Sequence, residues 1–244
     1  MRAALITGAS SGLGLAIAGA VAADGYGVTL VSRTQNKLEA ATAALIDQSL
    51  DVQAATADVG DPEQFAAAVD AHRARFGRLD VLVNNAGVGL DAPIDRQSDR
   101  RIDLQLSVDL RAVITGYRVC LDLLSVAAAE HGNASVINIA SLTGLAGAAG
   151  LSVYSAAKAG VIAFTQAMNQ ELGAAGSKSC ALCPGYVDTA LSDHVKDRLP
   201  PENMIPVSDV VELLRAVLRL SPRSVAPVIA IQRPERGRRR DHRL

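Results

Sequence analysis

Short runs of apolar and β-branched residues alternate along this chain with longer stretches in which apolar positions recur every three or four residues. The short runs predict strands at Ala3 to Thr7, Val28 to Ser32, Val52 to Ala57, Leu79 to Val83, Ser135 to Ala140, Ser179 to Cys183 and Pro227 to Gln232. The longer stretches predict helices over Leu13 to Ala23, Gln35 to Asp47, Pro62 to Phe76, Ile102 to Glu130, Val153 to Leu172 and Ser208 to Leu220. Strand and helix in turn is the pattern of βαβ units, in which each helix crosses over and covers one face of a parallel sheet. The expectation is a single α/β domain with a doubly wound, seven-stranded parallel sheet flanked by helices. No internal repeat, low-complexity linker or second domain interrupts it.

Two stretches break the alternation. Residues 185–206, rich in proline, are too long for an ordinary connection and are expected to form a lid or substrate loop. Residues 233–244 carry Arg236, Arg238, Arg239, Arg240 and Arg243, a charge sufficient to attract a phosphate-bearing partner, although a solvated, frayed terminus explains it as well. The catalytic domain is accordingly expected over residues 1–232, followed by a basic tail.

Composition narrows the class. The 244 residues hold 24 Lys and Arg against 25 Asp and Glu, a net charge of −1, so no global field draws the chain to nucleic acid or an acidic membrane. With 49% hydrophobic and 20% charged residues it is too apolar for a disordered chain, and no apolar run reads as a membrane span. The start, Met1 to Gly8, has too few apolar residues for a secretory signal, and three cysteines make no disulfide framework; a cytoplasmic protein is expected. Cys180 and Cys183 spell C-x-x-C, but on a strand residues three apart face opposite ways and no second ligand pair is near, so core packing is expected and no metal site.

Directly after the first strand stands Thr7-Gly8-Ala9-Ser10-Ser11-Gly12-Leu13-Gly14, and then a helix. Glycines let the backbone turn sharply and approach a pyrophosphate, while the helix N-terminus offers unpaired N–H donors. Gly8, Ser10, Ser11, Gly12, Leu13 and Gly14 are therefore the candidate phosphate-binding positions of a Rossmann-like dinucleotide site. The spacing lacks the lysine of a P-loop, which disfavours kinase and NTPase chemistry. At the end of the second strand, where an NAD site would place an acidic residue against the ribose 2′-OH, the chain has Ser32 and Arg33. Arg33, helped by the hydroxyls of Ser10 and Ser32, suits a 2′-phosphate, so NADP(H) is the expected cofactor.

The candidate chemistry lies further on. Ser141 follows the fifth strand, and Tyr154 and Lys158 stand four apart on one face of a helix. A tyrosine exchanges protons poorly at neutrality, and lowering its pKa by about three units takes roughly 4 kcal/mol of added phenolate stabilisation. Lys158, aided by an oxidised nicotinamide, is the expected source, while Ser141 bonds the substrate oxygen.

With these residues in order, the chain resembles the short-chain dehydrogenase/reductase family in its single-domain form. The motifs are T-G-x-x-x-G-x-G at Thr7 to Gly14, Asp58-Val59, Asn84-Asn85-Ala86-Gly87, Ser141, Tyr154-x-x-x-Lys158 and Pro184-Gly185-x-Val187-x-Thr189. The resemblance implies that Asp58 and Val59 contact the adenine, that Asn85, Ala86 and Gly87 flank the cofactor, and that Val187 and Thr189, beyond Pro184 and Gly185, hold the nicotinamide carboxamide. It also implies Tyr154 as acid/base, Lys158 as ribose ligand and modifier of Tyr154, and a homodimer or homotetramer.

Two positions depart from that pattern. Asp109 stands where the family places a helix asparagine whose main-chain carbonyl holds a relay water; Asp109 keeps the carbonyl, so it joins the candidate catalytic residues and altered pH dependence is expected. The arginine tail replaces a Gly-rich ending.

Residues 89–93, 142–151 and 186–205 are the expected pocket walls, with Leu142, Leu145, Leu151, Leu191, Met204 and Ile205 pointing to an apolar carbonyl or alcohol as substrate. His194 in the lid is expected to be merely exposed. The leading reading is an NADP(H)-dependent oxidoreductase interconverting a ketone or aldehyde and an alcohol. A cofactor-sensing protein of the same fold without turnover is one rival, and an interaction protein using its arginine tail on nucleic acid is another.

Overall fold

The computed structural model describes residues 1–234, so the arginines of the tail from Arg236 onward lie outside the described residues. Seven strands, β1 (Ala3–Thr7), β2 (Gly27–Ser32), β3 (Val52–Thr56), β4 (Val81–Asn84), β5 (Ala134–Ile139), β6 (Ser177–Pro184) and β7 (Val228–Ile231), form one parallel sheet. Their order is β3-β2-β1-β4-β5-β6-β7. The chain winds outward from β1 in both directions, leaving a crevice at the carboxyl ends of β1 and β4, where ligands bind such sheets.

Helices cover both faces: α1 (Gly12–Ala23), α2 (Gln35–Ile46), α3 (Pro62–Phe76), α4 (Asp99–Leu106), α5 (Ala112–His131), α6 (Leu142–Leu145), α7 (Ser152–Leu172) and α8 (Val207–Leu218). Period-two alternation in the strands explains the layers. Ala4, Ile6, Cys180 and Leu182 pack with Ile17 of α1, Leu38 of α2 and Leu214 of α8, while Leu5 and Val136 meet Phe65 of α3 and Leu124 of α5 on the other face. Cys183 joins Val161 and Ile162 of α7, so Cys180 and Cys183 face opposite sides as ordinary core. Both thiols are free, and burial pushes them up, to about 12 and about 11.

The differences from the expected elements have local causes. Leu79 precedes β4 because its N–H is given to Leu123 O at the side of α5. The long helix expected over Ile102 to Glu130 begins earlier, at Asp99, and is interrupted by a π turn, Ser107–Arg111, in which the Ala112 N–H reaches back to Ser107 O. Such widened turns are frequent at functional sites. By length and composition Asp99–His131 is apolar enough to cross a membrane, contrary to the reading of the sequence, but 56% of its most apolar window is buried inside the fold, as in a core helix.

The expected long loop at 185–206 is more ordered than its composition suggests. It contains two 3-10 turns, Ala190–Val195 and Pro201–Asn203, a parallel bridge between Val187 and Ile205, and a small core of Val195, Leu199 and Met204. The segment is a folded flap on the crevice.

Candidate active site

The glycine turn is shaped by close approach. Gly8 has φ +66°, and a Cβ there would stand 2.9 Å from the Ala86 Cα. A Cβ on Gly14 would fall 2.4 Å from the Gly8 carbonyl oxygen, so the turn can close only without side chains. Ser11 occupies the N-cap of α1 yet makes no side-chain cap bond, which leaves the first amides of α1 available to an anion. The turn is tied to the end of β4 by Thr7, whose Oγ1 accepts the N–H groups of Asn85 and Ala86, each at 3.0 Å, and by Asn85 Nδ2, which donates to Thr7 O at 2.9 Å. Thr7 was not among the expected site residues.

Along the same edge, Ser10 Oγ and Ser32 Oγ lie 2.9 Å apart, and exposed Arg33 follows directly on β2. Beyond β3, Asp58 Oδ1 accepts the Gly60 N–H at 2.9 Å and Val59 is buried. These positions form a shelf at the carboxyl ends of β1, β2 and β3. The uncapped helix end and the closely packed glycine turn fit the pyrophosphate of a dinucleotide.

At the end of β5, Ser141 caps the short α6. Thr143 donates to Ser141 Oγ twice, from its N–H at 3.2 Å and its hydroxyl at 3.1 Å. With Ser141 Oγ accepting twice, its own hydrogen is free to be donated elsewhere, and Ser141 and Tyr154 line the same crevice. Thr143 was also missed by the sequence reading, although a hydroxyl residue two places past a strand-end serine is a turn signal.

Lys158 is 3% exposed, and its Nζ donates to Ile139 O at 3.0 Å while lying 5.5 Å from the centre of the Tyr154 ring. Asp109, fully buried, places Oδ1 3.5 Å from that Nζ and accepts the Val88 N–H at 3.0 Å. Burial works against the Lys158 ammonium, but the Asp109 carboxylate overturns it and holds the lysine above its ordinary range. Burial pushes Asp109 up, with Lys158 and the Val88 N–H pulling it back only in part.

Lys158 acts on Tyr154 in the expected direction, but the net displacement of the phenol is upward. Burial dominates and pushes the phenol up; Lys158 pulls down, Asp109 pushes up again, and the neighbouring Ser141 hydroxyl pulls down. The lysine's charge is shared with a carboxylate that acts in the opposite sense at Tyr154.

These groups open into one cavity of about 770 Å³ that runs from the glycine turn past Ser141, Tyr154 and Lys158 to Pro184, Gly185, Val187 and Thr189. Leu142, Leu151, Leu191 and Ile205 line it as expected. Leu145 does not: it is 49% exposed, and Met204 is occupied in the core of the flap. His194, exposed as expected, also lines the cavity, and so does Arg233, expected in the tail. Among the described residues no carboxylate lines the wall, which suits an anionic ligand.

The fold and this cavity define a nicotinamide-dependent oxidoreductase of carbonyl and alcohol groups. The chain belongs to the short-chain dehydrogenase family, whose profile matches residues 2–199. It is 37% identical over 205 residues to levodione reductase of Leifsonia aquatica, covering 83% of this chain and 75% of that one. It is 35% identical over 231 residues to a ketoacyl reductase of Nostoc sp., covering 94% and 78%. Among solved structures it superposes with a TM-score of 0.86 on an alcohol dehydrogenase from Thermococcus sibiricus complexed with 5-hydroxy-NADP, at 26% identity over 96% of this chain and 99% of that one. A 3-ketoacyl-(acyl-carrier-protein) reductase from Brucella melitensis complexed with NADH gives 0.83 at 26% identity, over 94% and 96%.

Proposed function

We propose that this protein is an NADP(H)-dependent reductase of apolar ketones or aldehydes, with Ser141, Tyr154 and Lys158 as its catalytic group. The carrying observation is that these three side chains stand together in the cavity that begins at the glycine turn. When bound there, the reduced nicotinamide supplies a hydride to the carbonyl carbon. Ser141 donates its hydroxyl hydrogen to the substrate oxygen, and Thr143 fixes that orientation. Tyr154 delivers the proton to the same oxygen, and Lys158 limits the cost of the phenolate left behind.

Gly8, Ser11, Gly12, Leu13 and Gly14 would hold the pyrophosphate, Asp58 and Val59 the adenine, Asn85 to Gly87 the ribose side, and Pro184, Gly185, Val187 and Thr189 the nicotinamide. The folded segment 185–206 would close over the substrate, with Leu142, Leu151 and Leu191 giving an apolar wall. The ketone-type substrates named for the levodione and ketoacyl reductases agree with that reading. Following NADPH and NADH oxidation over a panel of polar and apolar carbonyl compounds tests it: turnover with NADPH on apolar ketones is expected, and cofactor binding with no turnover would leave the sensor role.

The preference for NADP(H) rests on Arg33 beside the Ser10 and Ser32 pair. Arg33→Ala should raise the KM for NADPH roughly tenfold or more, the loss of a charge-assisted bond of about 1.5–3 kcal/mol, while leaving the KM for NADH nearly unchanged. Equal effects on the two cofactors would remove the 2′-phosphate contact.

A homodimer or homotetramer and a cytoplasmic setting belong to the same reading. Exposed Ile114, Leu121 and Val126 on α5 support self-association, which sedimentation velocity decides, and the three free cysteines suit a reducing compartment.

A further inference from the structure

Beside the proposed catalytic group lies a carboxylate that the reduction chemistry above does not use. Asp109 is carried inward by the π turn, and Gly87 makes room for it: a Cβ at that glycine would stand 2.9 Å from Asp109 Oδ1 and 3.6 Å from Lys158 Nζ. Its other oxygen, Oδ2, is buried with no hydrogen-bond partner. A carboxylate held so incompletely is tolerated only where a charge compensates it, and Lys158 at 3.5 Å is that charge.

Lys158 therefore acts in two directions. Its ammonium over the Tyr154 ring would favour the phenolate, yet the field reaching Tyr154 is that of a closely spaced pair of opposite charges. The other groups facing this cluster are the Ser141 hydroxyl at the end of β5, the buried Cys183 thiol of β6, and Tyr186 and His194 of the flap, whose ring centres are 6.3 Å apart. Cys183 is neutral in the physiological range because burial pushes it up to about 11. His194 and the rim residue Arg233 are the remaining basic groups of the cavity.

We propose that Asp109 is a positioning residue for the proton: it neutralises Lys158, keeps Tyr154 in the phenol form through the neutral range, and thereby sets the site to reduce carbonyls rather than to oxidise alcohols. This rests on the acid/base reading of Tyr154. In reduction the Tyr154 O–H bond breaks, its proton goes to the carbonyl oxygen, the carbon gains the hydride, and solvent reprotonates the phenolate. In oxidation each transfer runs backward and the phenolate is needed at the outset, so a site rich in phenol is slow in that direction near neutrality.

Asp109→Asn removes the charge at almost constant shape. The rate of reduction falls, and that of oxidation rises, as Tyr154 ionises with increasing pH. Both half-points should move to lower pH by about one unit in the variant, a change of about tenfold in the phenolate-to-phenol ratio. Near pH 7 oxidation should quicken by up to about tenfold, whereas reduction should lose its alkaline activity earlier.

A second readout needs no turnover: the phenolate absorbance titration of the chain minus that of Tyr154→Phe, with and without NADP, compared with the same difference in the Asp109→Asn background. The same displacement to lower pH is expected, and half-points that stay in place or move to higher pH would overturn the proposal. Should Asp109→Asn not fold, Asp109→Ser is measured in its place with the same expected direction. A displaced titration without turnover removes the reductase reading but supports the charge role of Asp109; Tyr154-dependent turnover without displacement removes only the latter.

Discussion

Replacing Tyr154 with phenylalanine should lower kcat for carbonyl reduction by roughly 10²–10⁴-fold, the usual contribution of a positioned proton donor. The phenol shares the cavity wall with Ser141 and has the Lys158 ammonium 5.5 Å from its ring centre, so the substitution removes one oxygen and leaves the apolar ring in place. Folding and NADPH affinity should therefore change little, which isolates the effect to the chemical step. Stopped-flow measurement of NADPH oxidation at saturating substrate, beside a fluorescence titration of NADPH binding, separates the two. A variant retaining more than about a tenth of the wild-type kcat would take Tyr154 out of the proton transfer.

Lys158→Met should be costly in two independent ways. Burial is nearly complete on both sides of its ion pair with Asp109, so removing the cation leaves an uncompensated carboxylate in the interior, a change worth about 3–5 kcal/mol of stability. The phenolate that forms on Tyr154 also loses its nearest positive charge, which should lower kcat by roughly 10²–10³-fold, the effect of removing a preorganised electrostatic contact. The double variant Lys158→Met, Asp109→Asn tells the two apart. Urea denaturation should show much of the lost stability recovered, because the stranded charge is gone, whereas activity should stay low. Recovery of activity with stability would mean that Lys158 serves the fold alone.

How much of this was legible in the chain depends on the range over which the deciding forces act. Strand and helix positions followed from side-chain period and from breakers, and β1 with its turn into α1 agrees with the expected segments at nearly every residue. The glycines of that turn were legible because part of their requirement is local: Gly8 has φ +66°, and a Cβ on Gly14 would meet the Gly8 carbonyl oxygen, whereas the contact of Gly8 with Ala86 exists only in the folded sheet. Tyr154 and Lys158 could be placed on one face because four residues make about one helical turn.

Features set by packing between distant segments were not legible. Thr143 gave a local signal that went unused, but Thr7 bridging to Asn85 and Ala86, and the inclusion of Arg233 in the cavity wall, exist only because separate elements meet. Leu145 and Met204 look like Leu142 and Ile205 in the sequence, yet α6 turns Leu145 outward and the flap's own core takes Met204. Apolar character says that a residue is buried somewhere; which neighbour buries it is a property of the assembled layers.

The sequence by itself determined the class of fold and singled out the glycine turn and the groups proposed for proton transfer, because periodicity, turn chemistry and side-chain chemistry are carried by residues near one another in the chain. The tertiary structure decided how those groups titrate. It half-buried Tyr154, so that desolvation pushes the phenol up despite Lys158, and it brought Asp109 from the π turn to within 3.5 Å of that lysine. Ionisation depends on desolvation and on every charge within a few ångströms, and those distances exist only once the helices are packed on the sheet.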